Sequence, residues 1–180
     1  MPTTIPPKMT PEKVYTYIEF CDPKPDSALC LQKALTAFWA KTGLEAEEPT
    51  RSPKGKPYFP SGRVHISVTH TGNLFACVFA SRPIGVDAER ADEERARIAE
   101  KKFSPEERAL PFSHVWCGKE AVAKLVGDGI GILDRISVTG ARAVYGGKGY
   151  LLREKRIGEY LLVIATEEGW DYGAEALSEE

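Results

Sequence analysis

The chain has 180 residues and a formal net charge of −2, with 42% hydrophobic and 28% charged residues. That length is enough for one large domain or two small ones with a buried core. The charge balance gives no sign of nucleic-acid binding, and no apolar run approaches the roughly 18 residues that a membrane span needs. Residues 1–13 lack the apolar segment of a secretory signal, so we expect a short flexible tail on a cytoplasmic protein.

The first half of the sequence alternates between strand and helix patterns. Residues 13–20 are rich in β-branched and aromatic residues, which predicts a strand. Apolar residues at helical spacing predict a helix over 28–44 that ends at a glycine. The stretch 45–63, rich in Pro, Gly and charge, is typical of a loop, and two strands are predicted over 64–72 and 74–81.

The second half begins with a new strand over 84–90 and continues with helical patterns across 91–126. Ser104 and Glu107 have the spacing of a capping box, in which each side chain accepts a hydrogen bond from the other residue's backbone N–H. A further helix is predicted over 114–127. The pattern then returns to β-structure over 131–140, 142–156 and 159–167, with a hairpin predicted around Gly146–Gly149.

Each half therefore contains a strand, helical material and antiparallel strands, which is typical of the α+β class. We expect two similar α+β halves, a pseudo-dimer with antiparallel sheets packed on helices. The halves are assigned to residues 1–82 and 83–180, with the junction at Arg82 and Pro83. Sequence identity between the two halves is too weak to show a repeat.

The four cysteines are the residues most often used for soft metal ions and cross-links. They form no CxxC pair and no histidine cluster accompanies them, so we expect neither a zinc site nor a disulfide framework. Free thiols in a reducing cytoplasm are the prediction. The residues are Cys21, Cys30, Cys77 and Cys117.

The segment IGVDAER at 84–90 places two acids at the end of an apolar strand. Because alternate residues of a strand point to the same face, Asp87 and Glu89 lie side by side. Adjacent carboxylates repel each other, so water, a basic neighbour or a metal ion must offset the cost. Paired acids on edge strands are common, so the pair alone leaves these alternatives open.

The helical segment WCGKEAVAK adds a third acid. Glu120 and Lys124 are four residues apart and share one helix face, which also fits an exposed ion pair that contributes about 0.3–0.5 kcal/mol. Together with Asp87 and Glu89, Glu120 completes an oxygen-rich set that suits Mg²⁺ or Mn²⁺. Lys124 would then lie beside a bound phosphate.

Several motifs, taken in order, resemble one known family. IGVD-A-E, F-S-P-E-E and W-C-G-K-E-A-V-A-K look like the signature of the 4′-phosphopantetheinyl transferases. GKPYFP at 55–60 and HISVTHTG at 65–72 resemble upstream motifs of the Sfp-type branch of that family. Each motif alone is weak, but their order makes the set specific over residues 28–170.

The resemblance implies that coenzyme A binds in the cleft between the halves. It implies transfer of 4′-phosphopantetheine to a serine of an acyl or peptidyl carrier protein, with release of adenosine 3′,5′-bisphosphate. Asp87, Glu89 and Glu120 match the metal ligands of the family, and Glu120 is also the candidate base for the serine. Lys124 matches the residue that holds the phosphate or assists the leaving group.

Three further residues match the family's contacts to the 3′-phosphate of coenzyme A. Thr69 and His70 stand in the upstream motif, and Lys56 lies in the loop before it. Without the resemblance, His70 also fits a strand-end histidine bonded to backbone, and Lys56 fits a solvated turn.

The sequence also departs from the family pattern. The N-terminal half is short, the gap from Asp87 to Glu120 is compact, and Thr69 and Cys117 stand where serine is commoner. Two β-containing halves favour a pseudo-dimeric monomer over the trimeric acyl-carrier-synthase branch. The alternatives are a non-catalytic module that binds coenzyme A or a carrier, and a metal-dependent phosphoesterase.

Overall fold

The structure is a computed structural model that describes residues 12–178. Residues 1–11 of the predicted N-terminal tail lie outside the described range. Within the described range, no helix has both the length and the apolar character needed to cross a membrane. The α+β class predicted from the sequence is confirmed, because helices and mainly antiparallel sheets make up the fold. The pseudo-dimer relation between the halves stays a prediction.

A four-stranded sheet is built mainly from the first half of the chain. Its strands in spatial order are β11 (Gly173–Ala176), β1 (Lys13–Phe20), β5 (Leu74–Ala80) and β4 (His65–Thr71). β1 is antiparallel to β5 and parallel to β11, so the end of the chain returns to this first sheet. The sequence did not predict β11, because Gly-Ala-Glu-Ala lacks the β-branched and aromatic residues typical of strands.

A five-stranded antiparallel sheet belongs to the second half. Its strands in spatial order are β6 (Ile84–Arg90), β10 (Tyr160–Glu167), β9 (Lys148–Ile157), β8 (Arg142–Tyr145) and β7 (Ser137–Thr139). The strand predicted over 131–140 is wrong in its first part, since Ile130–Arg135 form a 3₁₀-helix. Adjacent Ile132 and Leu133 are both buried there, whereas neighbours in a half-exposed strand face opposite sides.

Three α-helices flank the sheets: α1 (Ser27–Thr42), α2 (Ala96–Lys102) and α3 (Phe112–Val126). Asp26 caps α1 by accepting hydrogen bonds from the backbone N–H groups of Ala28 and Leu29. Gly43 ends α1 in the left-handed conformation, as the sequence predicted.

Two predictions for the connecting segments need adjustment. The loop predicted over 45–63 contains a small hairpin of β2 (Thr50–Arg51) and β3 (Pro57–Tyr58). The predicted capping box forms, with reciprocal bonds of 2.8 and 3.2 Å between Ser104 and Glu107. It starts only a short 3₁₀ turn at Glu107–Ala109, because Pro111 interrupts the pattern before α3.

The elements stack as four layers, in the order α1, first sheet, second sheet and α3. One buried cluster, with Val14, Val78, Val86 and Leu162 among its members, fills the space between the two sheets. A second cluster packs α1 on the outer face of the first sheet, and a third packs α3 on the outer face of the second sheet. Strand alternation explains the division, since β1, β5 and β10 each supply side chains to two clusters.

Gly85 sets how closely α3 approaches β6. A Cβ atom at this position would lie 1.8 Å from the carbonyl oxygen of Ala121 and 2.8 Å from the backbone nitrogen of Leu125. Only glycine therefore allows the helix backbone to lie this near the strand. The close approach brings the acids at the end of β6 next to the middle of α3.

We expect Gly85→Ala to destabilise the protein by about 1–3 kcal/mol, because backbone atoms of α3 must move to admit the methyl group. Urea unfolding followed by circular dichroism measures the change. Gly131→Ala is the matched control, because a Cβ there meets nothing within 4 Å. Equal stability of Gly85→Ala and the wild type would contradict the packing described here.

Candidate functional site

The alternation of β6 turns its acids toward α3. Val86 and Ala88 point into the core between the sheets, so Asp87 and Glu89 point to the opposite face. Asp87, Glu89, Glu120 and Lys124 line one pocket of about 360 Å³. The structure therefore brings together the four acidic and basic residues that the sequence singled out on β6 and α3.

Asp87 is held by a hydroxyl and an ammonium group. The Thr69 hydroxyl donates a 3.0 Å hydrogen bond to Asp87 Oδ1, and Lys124 Nζ lies 2.7 Å from the same oxygen. Asp87 is only 7% exposed, so water screens the attraction between its carboxylate and the ammonium less than it would at the surface. Lys124 thus pairs with the strand acid, and no contact with Glu120 is needed to explain its position.

Glu89 is fixed in a similar way. The Thr71 hydroxyl donates to Glu89 Oε1 at 2.9 Å, and the Arg95 guanidinium lies 2.9 Å from Glu89 Oε2. The basic neighbour considered from the sequence is therefore present for each strand acid. These partners offset part of the repulsion between two carboxylates on one face.

A row of hydroxyls on β4 joins the edges of the two sheets. Ser67 Oγ accepts a 3.0 Å hydrogen bond from the backbone N–H of Val86, and Thr69 and Thr71 follow at every second position toward Asp87 and Glu89. The alternation of β4 sends all three hydroxyls to the face opposite Ile66. The row fixes the strand acids before any ligand binds.

Glu120 carries the clearest electrostatic signature in the pocket. Burial, together with the negative charges of Asp87 and Glu89, raises its pKa to about 7, although the nearby Lys124 ammonium lowers it. Desolvation and the neighbouring carboxylates thus favour the protonated form of Glu120 in the metal-free pocket. A cation bound beside Glu120 would instead favour its ionised form.

The chemistry of the three carboxylates suits a hard divalent ion. Asp87, Glu89 and Glu120 offer only carboxylate oxygens, which Mg²⁺ and Mn²⁺ prefer. Among the described residues, these three acids do not have one oxygen each within 4.8 Å of the other two. The strand acids are held by Thr69, Thr71, Lys124 and Arg95. The acidic side chains must therefore rotate before three of their oxygens can bind one ion.

The acid pocket opens into a larger cleft of about 1060 Å³, which is lined by residues of α1, β4, α3 and the loops at 51–57 and 127–130. His70, Glu120 and Lys124 line both spaces. The cleft walls carry four Lys and Arg side chains against two acids, so the cleft is basic in a chain of net charge −2. The basic side chains are Arg51, Lys54, Lys56 and Lys124.

The three residues expected near the 3′-phosphate of coenzyme A occupy different environments. His70 is exposed and lines the cleft, whereas Thr69 is 5% exposed and its hydroxyl is bonded to Asp87. Lys56 reaches the cleft wall, and its ammonium donates a 2.7 Å hydrogen bond to the carbonyl of Leu125 near the end of α3. Burial lowers the pKa of Lys56, yet the ammonium keeps further donors for a ligand.

The sequence reasoning gave no role to Lys119, which is 1% exposed. Its ammonium lies 2.9 Å from Glu107 Oε2 and also donates to the carbonyls of Leu133 and Ile136. Glu107 Oε1 accepts from the backbone N–H of Val138 at 2.7 Å. This buried ion pair anchors α3 to the segments around Glu107, Leu133 and Ile136. The capping box at Glu107 was the only sequence signal that pointed toward it.

We expect Glu120 to make the metal-free protein less stable as the pH rises. Its pKa is about 7 in the folded chain and near 4.5 when unfolded, so the folded state binds the proton more tightly. Glu120→Gln and wild type should be similarly stable at pH 5. The variant should be more stable by about 2–3 kcal/mol at pH 8. Urea unfolding at both pH values in chelator measures the difference.

Exposed Glu100 is the matched control, because Glu100→Gln should change stability equally at both pH values. Parallel stability curves for the wild type and Glu120→Gln would show that Glu120 ionises normally, and would remove the electrostatic argument for a charged pocket.

Comparison with known protein families shows which family the region around this pocket is similar to. Residues 83–144 match the model of the 4′-phosphopantetheinyl transferase superfamily. The matched stretch includes Asp87, Glu89, Glu120 and Lys124. The chain is therefore related to this superfamily, and the resemblance predicted from the motifs is confirmed.

Individual relatives narrow the match to the Sfp type. The chain is 34% identical over 97 residues to a 4′-phosphopantetheinyl transferase of Bacillus subtilis, and 33% identical over 97 residues to 4′-phosphopantetheinyl transferase Sfp of strain 168 of that species. Each match covers 47% of this chain and 43% of the relative. The corresponding transferase gsp of Aneurinibacillus migulanus is 29% identical over 87 residues, or 36% of its length. The chain thus matches less than half the length of these relatives.

Proposed function

We propose that this chain is a 4′-phosphopantetheinyl transferase that uses coenzyme A to modify a serine of an acyl or peptidyl carrier protein. The observation that carries the proposal is the meeting of Asp87, Glu89 and Glu120 in one pocket that opens into a basic cleft. The transferase names of the relatives support the reaction class. The cleft lies between the N-terminal half, residues 1–82, and the C-terminal half, residues 83–180.

The charge and shape of the cleft suit coenzyme A. The ligand carries a pyrophosphate and a 3′-phosphate, and the lysine and arginine side chains of the cleft complement these anions. Exposed Leu29 and Ile130 supply apolar surface on the same cleft for the uncharged parts of the ligand. Lys56 and His70 are the proposed partners of the 3′-phosphate, and Thr69 contributes indirectly by holding Asp87.

Asp87, Glu89 and Glu120 would hold Mg²⁺ or Mn²⁺. When bound, such an ion neutralises negative charge on the pyrophosphate and on the leaving group. Lys124 adds a mobile positive charge, because its side chain is 31% exposed and can turn from Asp87 toward a phosphate oxygen. Positioning and charge stabilisation are the main demands of phosphoryl transfer.

Glu120 is also placed to move a proton. The serine oxygen of the carrier attacks the β-phosphorus of coenzyme A, and the bond from that phosphorus to the bridging oxygen breaks. Phosphopantetheine passes to the serine, and adenosine 3′,5′-bisphosphate leaves. Glu120 accepts the serine proton directly or through water, from its place in the pocket that it shares with Asp87 and Glu89.

Loading of apo-carriers tests the proposal. The chain is incubated with coenzyme A, Mg²⁺ or Mn²⁺, and apo-carriers of the fatty-acid, polyketide and peptide-synthetase types. We expect the mass of at least one carrier to rise by one phosphopantetheine, and chelator to abolish the change.

Two results would contradict the transferase assignment and point to the alternatives. Coenzyme A binding by calorimetry with no loading of any carrier indicates a non-catalytic module. Release of free phosphopantetheine when no carrier is present indicates a phosphoesterase.

A further inference from the structure

A second group of metal-ligating side chains lies away from the acid pocket, where β1 leads into α1. Cys21 Sγ and Cys30 Sγ are 3.6 Å apart, and a carboxylate oxygen of Glu19 lies within 4.8 Å of both. In the part of the chain that the structure describes, this is the one trio of His, Cys, Asp or Glu whose donor atoms approach so closely. The sequence predicted only free thiols, because the two cysteines are nine residues apart and form no CxxC pair.

The geometry suits one tetrahedral ion. Two thiolates at about 2.3 Å from Zn²⁺ lie about 3.8 Å apart when the ion is tetrahedral. The observed distance of 3.6 Å between Cys21 Sγ and Cys30 Sγ is close to that value. Cys30 is 2% exposed and Cys21 is partly exposed, so a fourth position is open to solvent on the side of Cys21.

The neighbouring charges also suit a divalent ion. Glu19 accepts hydrogen bonds from the Tyr17 hydroxyl at 2.8 Å and from the Lys33 ammonium at 2.5 Å. Two thiolates and one carboxylate carry three negative charges, which one Zn²⁺ and Lys33 together neutralise. The hydrogen bonds from Tyr17 and Lys33 would also orient the Glu19 carboxylate as a ligand.

We propose that Glu19, Cys21 and Cys30 form a binding site for a thiophilic divalent cation, with Zn²⁺ as the expected ion. Zinc accepts mixed sulfur and oxygen ligands, whereas Mg²⁺ and Mn²⁺ prefer oxygen, so the two metal sites of the chain differ in chemistry. Burial raises the pKa of the Cys30 thiol, and a bound cation would favour its thiolate. The site ties the end of β1 to the first turn of α1, whose Ala28 and Leu29 line the cleft.

Metal binding by the reduced full-length chain tests the proposal. The protein is stripped with chelator, exchanged into excess Mg²⁺ to occupy the carboxylate pocket, and titrated with Zn²⁺ or Cd²⁺. We expect one bound Zn²⁺ per chain that excess Mg²⁺ does not displace, and a thiolate-to-Cd²⁺ charge-transfer absorption. Both signals should disappear in Cys21→Ser and in Cys30→Ser. Glu19→Gln should weaken binding at least tenfold.

Cys77→Ala is the matched control, because this buried cysteine lies outside the trio and its loss should leave both signals unchanged. Circular dichroism checks that each variant is folded. Retention of one Zn²⁺ by the Cys21→Ser and Cys30→Ser variants would overturn the proposal. Loss of two hydrogens from the intact mass in the presence of Zn²⁺, with no bound metal, would overturn it in favour of a disulfide. The metal-binding test does not use carrier loading, so the result of the test is independent of the proposed transferase function.

Discussion

Glu120→Gln is expected to lower the rate of carrier loading by about 10²–10⁴-fold. The substitution keeps the shape of the side chain but removes both a proton acceptor and a charged ligand from the pocket that Glu120 shares with Asp87 and Glu89. Coenzyme A should still bind, since the basic side chains of the cleft are unchanged. Loading rates from carrier mass, and calorimetry with coenzyme A, measure the two effects separately.

Exposed Glu100 again serves as the control, and Glu100→Gln should load carriers at the wild-type rate. Because neutralising Glu120 removes a buried charge, the variant should be at least as stable as the wild type at pH 8. A loss of activity therefore does not reflect unfolding. Equal loading rates for Glu120→Gln and the wild type would show that the site is assigned to the wrong residues.

Lys119→Met is expected to destabilise the protein by about 3–5 kcal/mol, because it leaves the Glu107 carboxylate buried without its ionic partner. The carbonyls of Leu133 and Ile136 also lose a donor. Urea unfolding at pH 7 measures the loss. Combining Lys119→Met with Glu107→Gln should cost less than the sum of the two single variants, since the double variant buries no unpaired charge.

Lys101→Met is the matched control on an exposed lysine and should change stability by no more than about 0.5 kcal/mol. Strict additivity of the Lys119 and Glu107 effects would show that the two side chains do not interact. The pair matters for function because Lys119 precedes Glu120 on α3, so a shift of the helix at this point also moves the carboxylate in the pocket.

Local periodicity accounts for what could be predicted about the site. The alternation of β6 placed Asp87 and Glu89 on one face, and helical spacing did the same for Glu120 and Lys124. These relations follow from backbone geometry and need no knowledge of other segments. Capping at Ser104 and the glycine stop of α1 were predictable for the same reason.

Contacts between distant segments were not predictable in this way. Spacing suggested a pair between Glu120 and Lys124, but the packing of α3 on β6 gives Lys124 to Asp87 instead. Thr69 was matched to a phosphate contact, yet the edges of the two sheets meet so that its hydroxyl reaches Asp87. Such choices depend on which partner lies within about 3 Å after packing, and on how much water the packing removes.

The sequence by itself thus determined the residue types of the acid pocket, their faces and the α+β class. The tertiary structure alone decided the buried pair of Lys119 and Glu107, the raised pKa of Glu120 and the meeting of Cys21 with Cys30. The physical reason is that strand and helix periods are properties of the local backbone. Desolvation and the pairing of charges arise only when segments far apart in the chain are brought into contact.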